Sequence, residues 1–368
     1  MTILGATSGD TGSAAIAAIK GRANIDCAML FPLGKTSKIQ ELQMTLNQEP
    51  NIHCLAVKDS VFDDCQAIVK TCFSDSQFNS EMSLGAVNSI NWCRIVAQIV
   101  YYVHSAAQCS GAVSFVVPTG NFGNMLAGYV CIARAVIVAL ILSPRYYARQ
   151  LGACIPIRSL VIASNSNAIL PNFFATGSYS VVATTPTLSP SMDISVSSNF
   201  ERFLFDIWGR DAAETVQHFS QLSAQRSFSV TPAVLAAARS QFASFSVDEA
   251  QTLDTIRNVF SSSNYLLCPH SAVGFSAAQQ FRALPVYGGE DIIVLATAHI
   301  GKFVESIASS LGSSGEDALV RDAMQSCMPT ELSALVELGK QGGQRRVDVD
   351  NDSEAVKGYM RAFMTRDR

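Results

Sequence analysis

Four short stretches of this sequence combine residue types and spacings suited to chemistry. In Gly5-Ala6-Thr7-Ser8-Gly9-Asp10-Thr11-Gly12-Ser13, glycines alternate with hydroxyl side chains just before the small-residue run Ala14 to Ile19. Backbone N–H groups and the hydroxyls of Thr7, Ser8 and Thr11 would meet at a helix N-terminus, where the dipole favours a carboxylate or phosphate. An ordinary capped turn uses the same residue types, so spacing alone leaves both readings open. The second stretch, Val116-Val117-Pro118-Thr119-Gly120-Asn121-Phe122-Gly123-Asn124, again carries glycines that let backbone approach a ligand. It lacks both G-x-G-x-x-G and a closing GK[ST], so neither dinucleotide nor P-loop chemistry follows. In the third, Val294 to Phe303, an apolar run ends in Thr297, His299 and Lys302; these face a ligand together, or else His299 caps a helix and Lys302 is a solvated charge. In the fourth, Asn88 to Arg94, Asn91 and Arg94 stand three apart on a helix and share a face. Arg94 either clamps a phosphate or carboxylate in bidentate fashion or pairs with a surface acid.

Each stretch must be positioned by its neighbours. A short β-branched run, a Gly/Ser/Thr/Asn turn and an apolar stretch at helical spacing recur at Thr2 to Ile19, Ala28 to Met44, Ile52 to Cys72, Ser114 to Tyr129, Leu160 to Leu170 and from Ile292 onward. Such alternation predicts βαβ units and a mostly parallel sheet, with ligands bound beyond the carboxyl ends of the strands. Two anion cradles in one chain fit a phosphorylated cofactor plus an anionic substrate better than one nucleotide.

Composition narrows the classes further. With 368 residues, 48% apolar and 15% charged, the chain can bury a large core. Its net charge of −4 and lack of long basic runs argue against nucleic acid and anionic membranes as partners. The apolar run Ala135 to Leu142 covers eight residues, against roughly 20 for a membrane span. Ten scattered cysteines without a C-x-x-C pair, and five histidines without H-E-x-x-H, predict free thiols, a reducing cytosolic location and no metal site.

In order, GATSGDTGSAAI, FPLGKTSKIQELQM, FDDCQAIVK, GAVNSINWCRIVAQIVYY, VVPTGNFGNMLAGY, TLSPSMDISVSSNFER, CPHSAVG and ATAHIGKF resemble the threonine synthase family from about residue 2 to about residue 310. The resemblance implies an α/β fold of the tryptophan synthase β-like group (fold type II), with parallel sheets flanked by helices and pyridoxal 5'-phosphate (PLP) as cofactor. It implies three parts: residues 1–85 as a small substrate-loop domain, 86–312 as a large PLP-binding domain, and 313–368 as a peripheral segment. The implied reaction takes O-phospho-homoserine and water to threonine and phosphate. Gly120, Asn121, Phe122, Gly123 and Asn124 would hold the cofactor phosphate and Thr297 would contact the pyridine nitrogen. Thr7, Ser8, Asp10, Thr11, Lys35, Ser89, Asn91, Arg94 and Lys302 would bind the phosphorylated amino acid. A phospho-lyase on similar substrates and a non-catalytic PLP-binding or partner-binding homologue are the alternatives.

The sequence departs from the family pattern at three places. No Phe-Lys-Asp occurs, and none of the eight lysines maps onto the family's Schiff-base lysine, so no catalytic residue is identifiable, an N-terminal domain is expected to be missing and the chain alone is expected to be inactive. Val130 to Tyr146 interrupt the pattern with seventeen residues, which read better as an unspliced stretch of a gene model than as a longer helix. His299-Ile300-Gly301-Lys302-Phe303 stands where the family has His-Pro-Ala-Lys-Phe, and losing proline relaxes the φ restraint before Lys302.

Overall fold

The computed structural model describes residues 1–133, 155–304, 307 and 328–364. They form two compact units. One comprises Met1–Asn88 with the described residues from Ala298 onward, the other the described residues between Ser89 and Thr297.

The first unit alternates strand and helix: β1 (Thr2–Ala6), α1 (Asp10–Ile19), β2 (Asp26–Pro32), α2 (Lys38–Thr45), β3 (Ile52–Val57), α3 (Phe62–Ser74), α4 (Ser76–Met82) and β4 (Leu84–Ala86). With β11 (Val347–Val349) the strands form a parallel sheet in the order β11-β3-β2-β1-β4. Strands β1 to β3 are nearly continuous apolar runs because helices cover both faces. Alternate side chains point to opposite faces. Leu4, Leu30, Leu55 and Val57 pack with Cys65, Ile68 and Cys72 of α3, whereas Ile3, Met29, Phe31 and Cys54 pack with Ile16 and Ile19 of α1 and Met44 of α2.

The second unit repeats this logic. Its strands β5 (Val113–Pro118), β6 (Ile157–Ser164), β9 (Phe242–Ser246) and β10 (Asp291–Val294) form a parallel sheet in the order β10-β5-β6-β9, and β7 (Ser178–Ser180) pairs antiparallel with β8 (Ser227–Ser229). Phe115, Val117 and Ile162 pack beneath α5 (Trp92–Ala106) and α6 (Gly123–Ala133). On the other face, Val116, Val161 and Ala163 meet Val273, Ala277 and Phe281 of the helix Pro269–Arg282.

In each sheet the chain leaves its first strand to one side and later returns to the other, so β1 lies between β2 and β4, and β5 between β6 and β10. A parallel sheet opens a crevice at such a reversal, beyond the carboxyl ends of the two diverging strands. In the second unit the loops bordering it follow Pro118 and Val294.

The units divide the chain near 88/89 and 297/298 rather than at the expected 85/86 and 312/313. The described residues of the tail are built into the first unit. β11 pairs in parallel with β3, Val356 and Met360 of the helix Ser353–Phe363 are buried against α3 and α4, and the helix Thr330–Lys340 approaches α2 so closely that a Cβ on Gly339 would meet Leu42 at 2.7 Å. The reason is burial of a few apolar residues in short elements whose composition is otherwise charged. Of the unusual stretch at Val130 to Tyr146, Val130–Ala133 are the last turn of α6, and residues 134–146 lie outside the described residues. Among the described residues no helix is long and apolar enough to cross a membrane.

Candidate functional site

β5 ends at Pro118, and Thr119 continues its ladder by donating its N–H to the Ala163 carbonyl at 2.7 Å. The chain then turns through Gly120, Asn121 and Phe122 into α6. Phe122 is left-handed, with φ of 59°, a strained conformation for a bulky residue. Its ring is buried and touches Phe200, Phe203 and Phe242 at centroid distances of 5.3, 5.9 and 5.5 Å, and this packing offsets the strain. Gly120 admits no side chain, because a Cβ would lie 2.6 Å from the Ser191 carbonyl oxygen.

The direction of the peptide groups is fixed from behind. The Ser197 hydroxyl donates to the Gly120 carbonyl at 2.9 Å. The Asn121 carbonyl accepts from the Asn199 N–H at 3.1 Å and from Asn199 Nδ2 at 2.9 Å, and Asn121 Oδ1 accepts from the Ser198 hydroxyl at 3.1 Å. Among the described residues, the N–H groups of Gly120, Asn121, Phe122, Gly123 and Asn124 donate to no protein acceptor. They sit at the N-terminus of α6, where unsatisfied donors and the dipole both favour an anion.

These residues line one cavity of about 560 Å³ together with Ser89, Arg94, Gln98, Tyr101, Ser191 and Thr297. Helix α5 delivers Arg94, Gln98 and Tyr101 from one face, at i, i+4 and i+7. Register pairs Val294 with Val116, so β10 carries Thr297 to the rim beside the β5 loop. The lining holds one guanidinium and no carboxylate. Burial lowers the pKa of Arg94, yet an arginine remains cationic at neutral pH. The free amides and this cation fit a phosphate, and the volume leaves room for a small ring beside it.

The expected site residues divide by location. Gly120 to Asn124, Thr297, Ser89 and Arg94 converge on this cavity. Asn91 does not line it; its Oδ1 accepts from the Cys93 N–H at 2.9 Å and caps α5. In the first unit, Thr7 is buried, and its hydroxyl oxygen accepts from the N–H groups of Gly9 at 2.9 Å and Gly12 at 2.8 Å, shaping the turn after β1. Ser8 and Thr11 are partly buried on that turn. Lys302 Nζ lies 2.5 Å from Asp10 Oδ1, and Lys35 lines a second cavity, of about 590 Å³, with Lys58, Asp59, Ser60 and Asp64. His299 caps the turn before Lys302, its Nδ1 accepting from the Gly301 N–H at 3.1 Å. That bond holds the turn where the family pattern has proline.

Residues not foreseen as part of the site are Ser197, Asn199, Ser191, Gln98 and Tyr101. The adjacent polar run Ser197-Ser198-Asn199 was a visible signal, but nothing local tied it to a loop 77 residues earlier.

Residues 1–239 match the family model described as pyridoxal-phosphate dependent enzyme, and residues 271–360 match that described as threonine synthase, C-terminal. The threonine synthase of Schizosaccharomyces pombe is 40% identical over 341 residues, covering 85% of this chain and 62% of that protein. The threonine synthase of Pseudomonas aeruginosa is 40% identical over 356 residues, covering 94% of this chain and 71% of that one. The crystal structure of PLP-bound threonine synthase from Brucella melitensis is 38% identical, with a TM-score of 0.75 over 99% of this chain and 71% of that one. With a phosphate-suited cradle at the switch point of a parallel sheet and this breadth of similarity, the chain belongs to the threonine synthase family of pyridoxal-phosphate dependent enzymes.

Proposed function

We propose that the cavity at the β5–β10 switch point holds PLP, with the cofactor phosphate on the Gly120 to Asn124 amides and Thr297 at the pyridine nitrogen. The observation that carries this reading is the row of amides without acceptors among the described residues, two of whose peptides are oriented by Ser197 and Asn199. When bound, PLP supplies an electron sink for a substrate carbanion. The protein's part is to orient and to balance charge. The amides would hold the cofactor phosphate, the Thr297 hydroxyl would meet the ring nitrogen, and Arg94 would add a positive charge for a second phosphate or carboxylate beside it.

The substrate this reading favours is O-phospho-homoserine, converted with water to threonine and inorganic phosphate. Ser89 and Arg94, which line the cavity, are its proposed contacts in the second unit; Thr7, Ser8, Asp10, Thr11, Lys35 and Lys302 of the first unit are proposed as anion-binding residues in their own right. The ion pair of Lys302 with Asp10 fixes the lysine's position. None of the eight lysines follows a phenylalanine and precedes an aspartate, the pattern that marks the family's Schiff-base lysine. The 368 residues alone are therefore expected to bind PLP without turning substrate over, for want of a lysine in the family's Schiff-base pattern. Incubating the protein with PLP and O-phospho-homoserine and analysing amino acids and phosphate tests this. Bound PLP with neither product is the expected result; threonine formation would refute the inactivity, and absence of PLP binding would refute the site.

A further inference from the structure

Two consecutive tyrosines of α5 reach the same residue of the cradle. Tyr101 Oη lies 2.5 Å from Asn124 Oδ1. Tyr102 Oη lies 2.9 Å from the Asn124 carbonyl oxygen and 3.0 Å from Oδ1. Tyr102 is fully buried, and its ring fills the space a side chain at Gly128 would need, with a Cβ there 2.9 Å from the ring. Tyr101, in contrast, lines the cavity.

A carboxamide can turn over and exchange its oxygen with its nitrogen, so which end faces a ligand must be set by partners. The 2.5 Å contact suits O–H···O and is short for a bond to an amide nitrogen. In the opposite orientation the Tyr101 proton would lose its acceptor. Burial pushes the phenols of Tyr101 and Tyr102 upward from their ordinary range, which keeps both as donors at neutral pH. The Tyr101 proton therefore goes to Oδ1, the Tyr102 proton is shared between Oδ1 and the Asn124 carbonyl, and Nδ2 remains the spare donor of a residue that lines the cavity. Without that restraint the carboxamide would have to be turned when the anion binds, at a cost in side-chain ordering.

We propose that Tyr101 and Tyr102 are positioning residues for phosphate recognition: their hydroxyls lock the Asn124 carboxamide so that Nδ2 joins the backbone amides on the phosphate. This inference rests on the reading of the cavity as a PLP site, and it adds a set of residues outside the glycine loop that determine specificity for the phosphorylated over the unphosphorylated cofactor.

The test is a fluorescence titration of the 368-residue protein, and of Y101F, N124A and the double variant, with PLP and separately with pyridoxal. Y101F is expected to weaken PLP binding about 3- to 10-fold, the size of one hydrogen bond to a charged ligand's partner, and to leave pyridoxal binding unchanged. N124A is expected to weaken PLP similarly or more, and Y101F is expected to add nothing to it, because the tyrosine acts through that side chain. Equal PLP binding by Y101F and the unaltered protein, a matching loss of pyridoxal affinity, or additive losses in the double variant would each overturn the clamp while leaving the cavity as a PLP site. If the unaltered protein binds PLP no better than pyridoxal, the cavity reading falls and the clamp with it. Far-UV circular dichroism of Y101F, expected to match the unaltered protein, separates lost recognition from lost folding.

Discussion

Two of the donors for an anion, the N–H groups of Asn121 and Phe122, are aimed by restraining the opposite end of their peptides, since Ser197 holds the Gly120 carbonyl and Asn199 that of Asn121. Such donors are oriented before a ligand arrives, so binding costs little reorganisation. A different residue-scale consequence concerns the cysteines. Burial pushes the thiols of Cys27, Cys54, Cys65 and Cys131 up to about 12, while Cys93 is exposed. Iodoacetamide at pH 8 followed by peptide mass spectrometry is expected to modify Cys93 and spare those four in the folded protein. Unfolded, the same thiols lose protons near 9.0, which the folded state retains; stability therefore falls as pH rises from 9.0 toward 12, and the urea midpoint should be lower at pH 10 than at pH 8. The glycine loop was legible in sequence because its residue types serve their own backbone. The Asn124 orientation was not, since it depends on hydroxyls 22 and 23 residues away.

Among the elements, the loop between β7 and the 3-10 turn Pro190–Met192 governs the floor of the cradle, because the Ser191 carbonyl sits against Gly120. Asp193 holds this loop. Its Oδ1 accepts from Asn165 Nδ2 at 2.8 Å, Asn167 Nδ2 at 2.8 Å and the Thr187 hydroxyl at 2.7 Å, and its Oδ2 from the Thr187 N–H at 2.8 Å. Burial raises its pKa, against the lowering effect of these donors. Replacing it with alanine strands several buried donors, each costing about 1–3 kcal/mol. Asp193→Ala is expected to lower the thermal midpoint by several degrees and to weaken PLP binding, both readable by fluorescence. Strand, loop and helix alternation was legible from the apolar runs of β1, β2, β5 and β6, whose two covered faces leave few polar positions. The order β10-β5-β6-β9 was not legible, since β10 returns beside β5 after more than 170 residues.

For the whole molecule, two units with separate apolar cores each place their first strand at a reversal in sheet order. The carboxyl-terminal segment belongs to the first core through Val349, Val356 and Met360. Its role was hidden in the sequence because β11 spans three residues amid aspartates and arginines, too short to register as an alternating strand. Met360 is fully buried, and Met360→Ala is expected to cost about 2–5 kcal/mol. Hydrogen exchange should then rise in peptides of α3 and β3 and stay unchanged in β5 and β6. The central claim, that the β5 loop is a phosphate cradle, is tested most directly by equilibrium titration of PLP against the unaltered protein and Gly120→Ala. Loss of at least about tenfold in affinity is expected, since a Cβ 2.6 Å from the Ser191 oxygen must displace the loop. Equal affinity of the two proteins for PLP would contradict the claim.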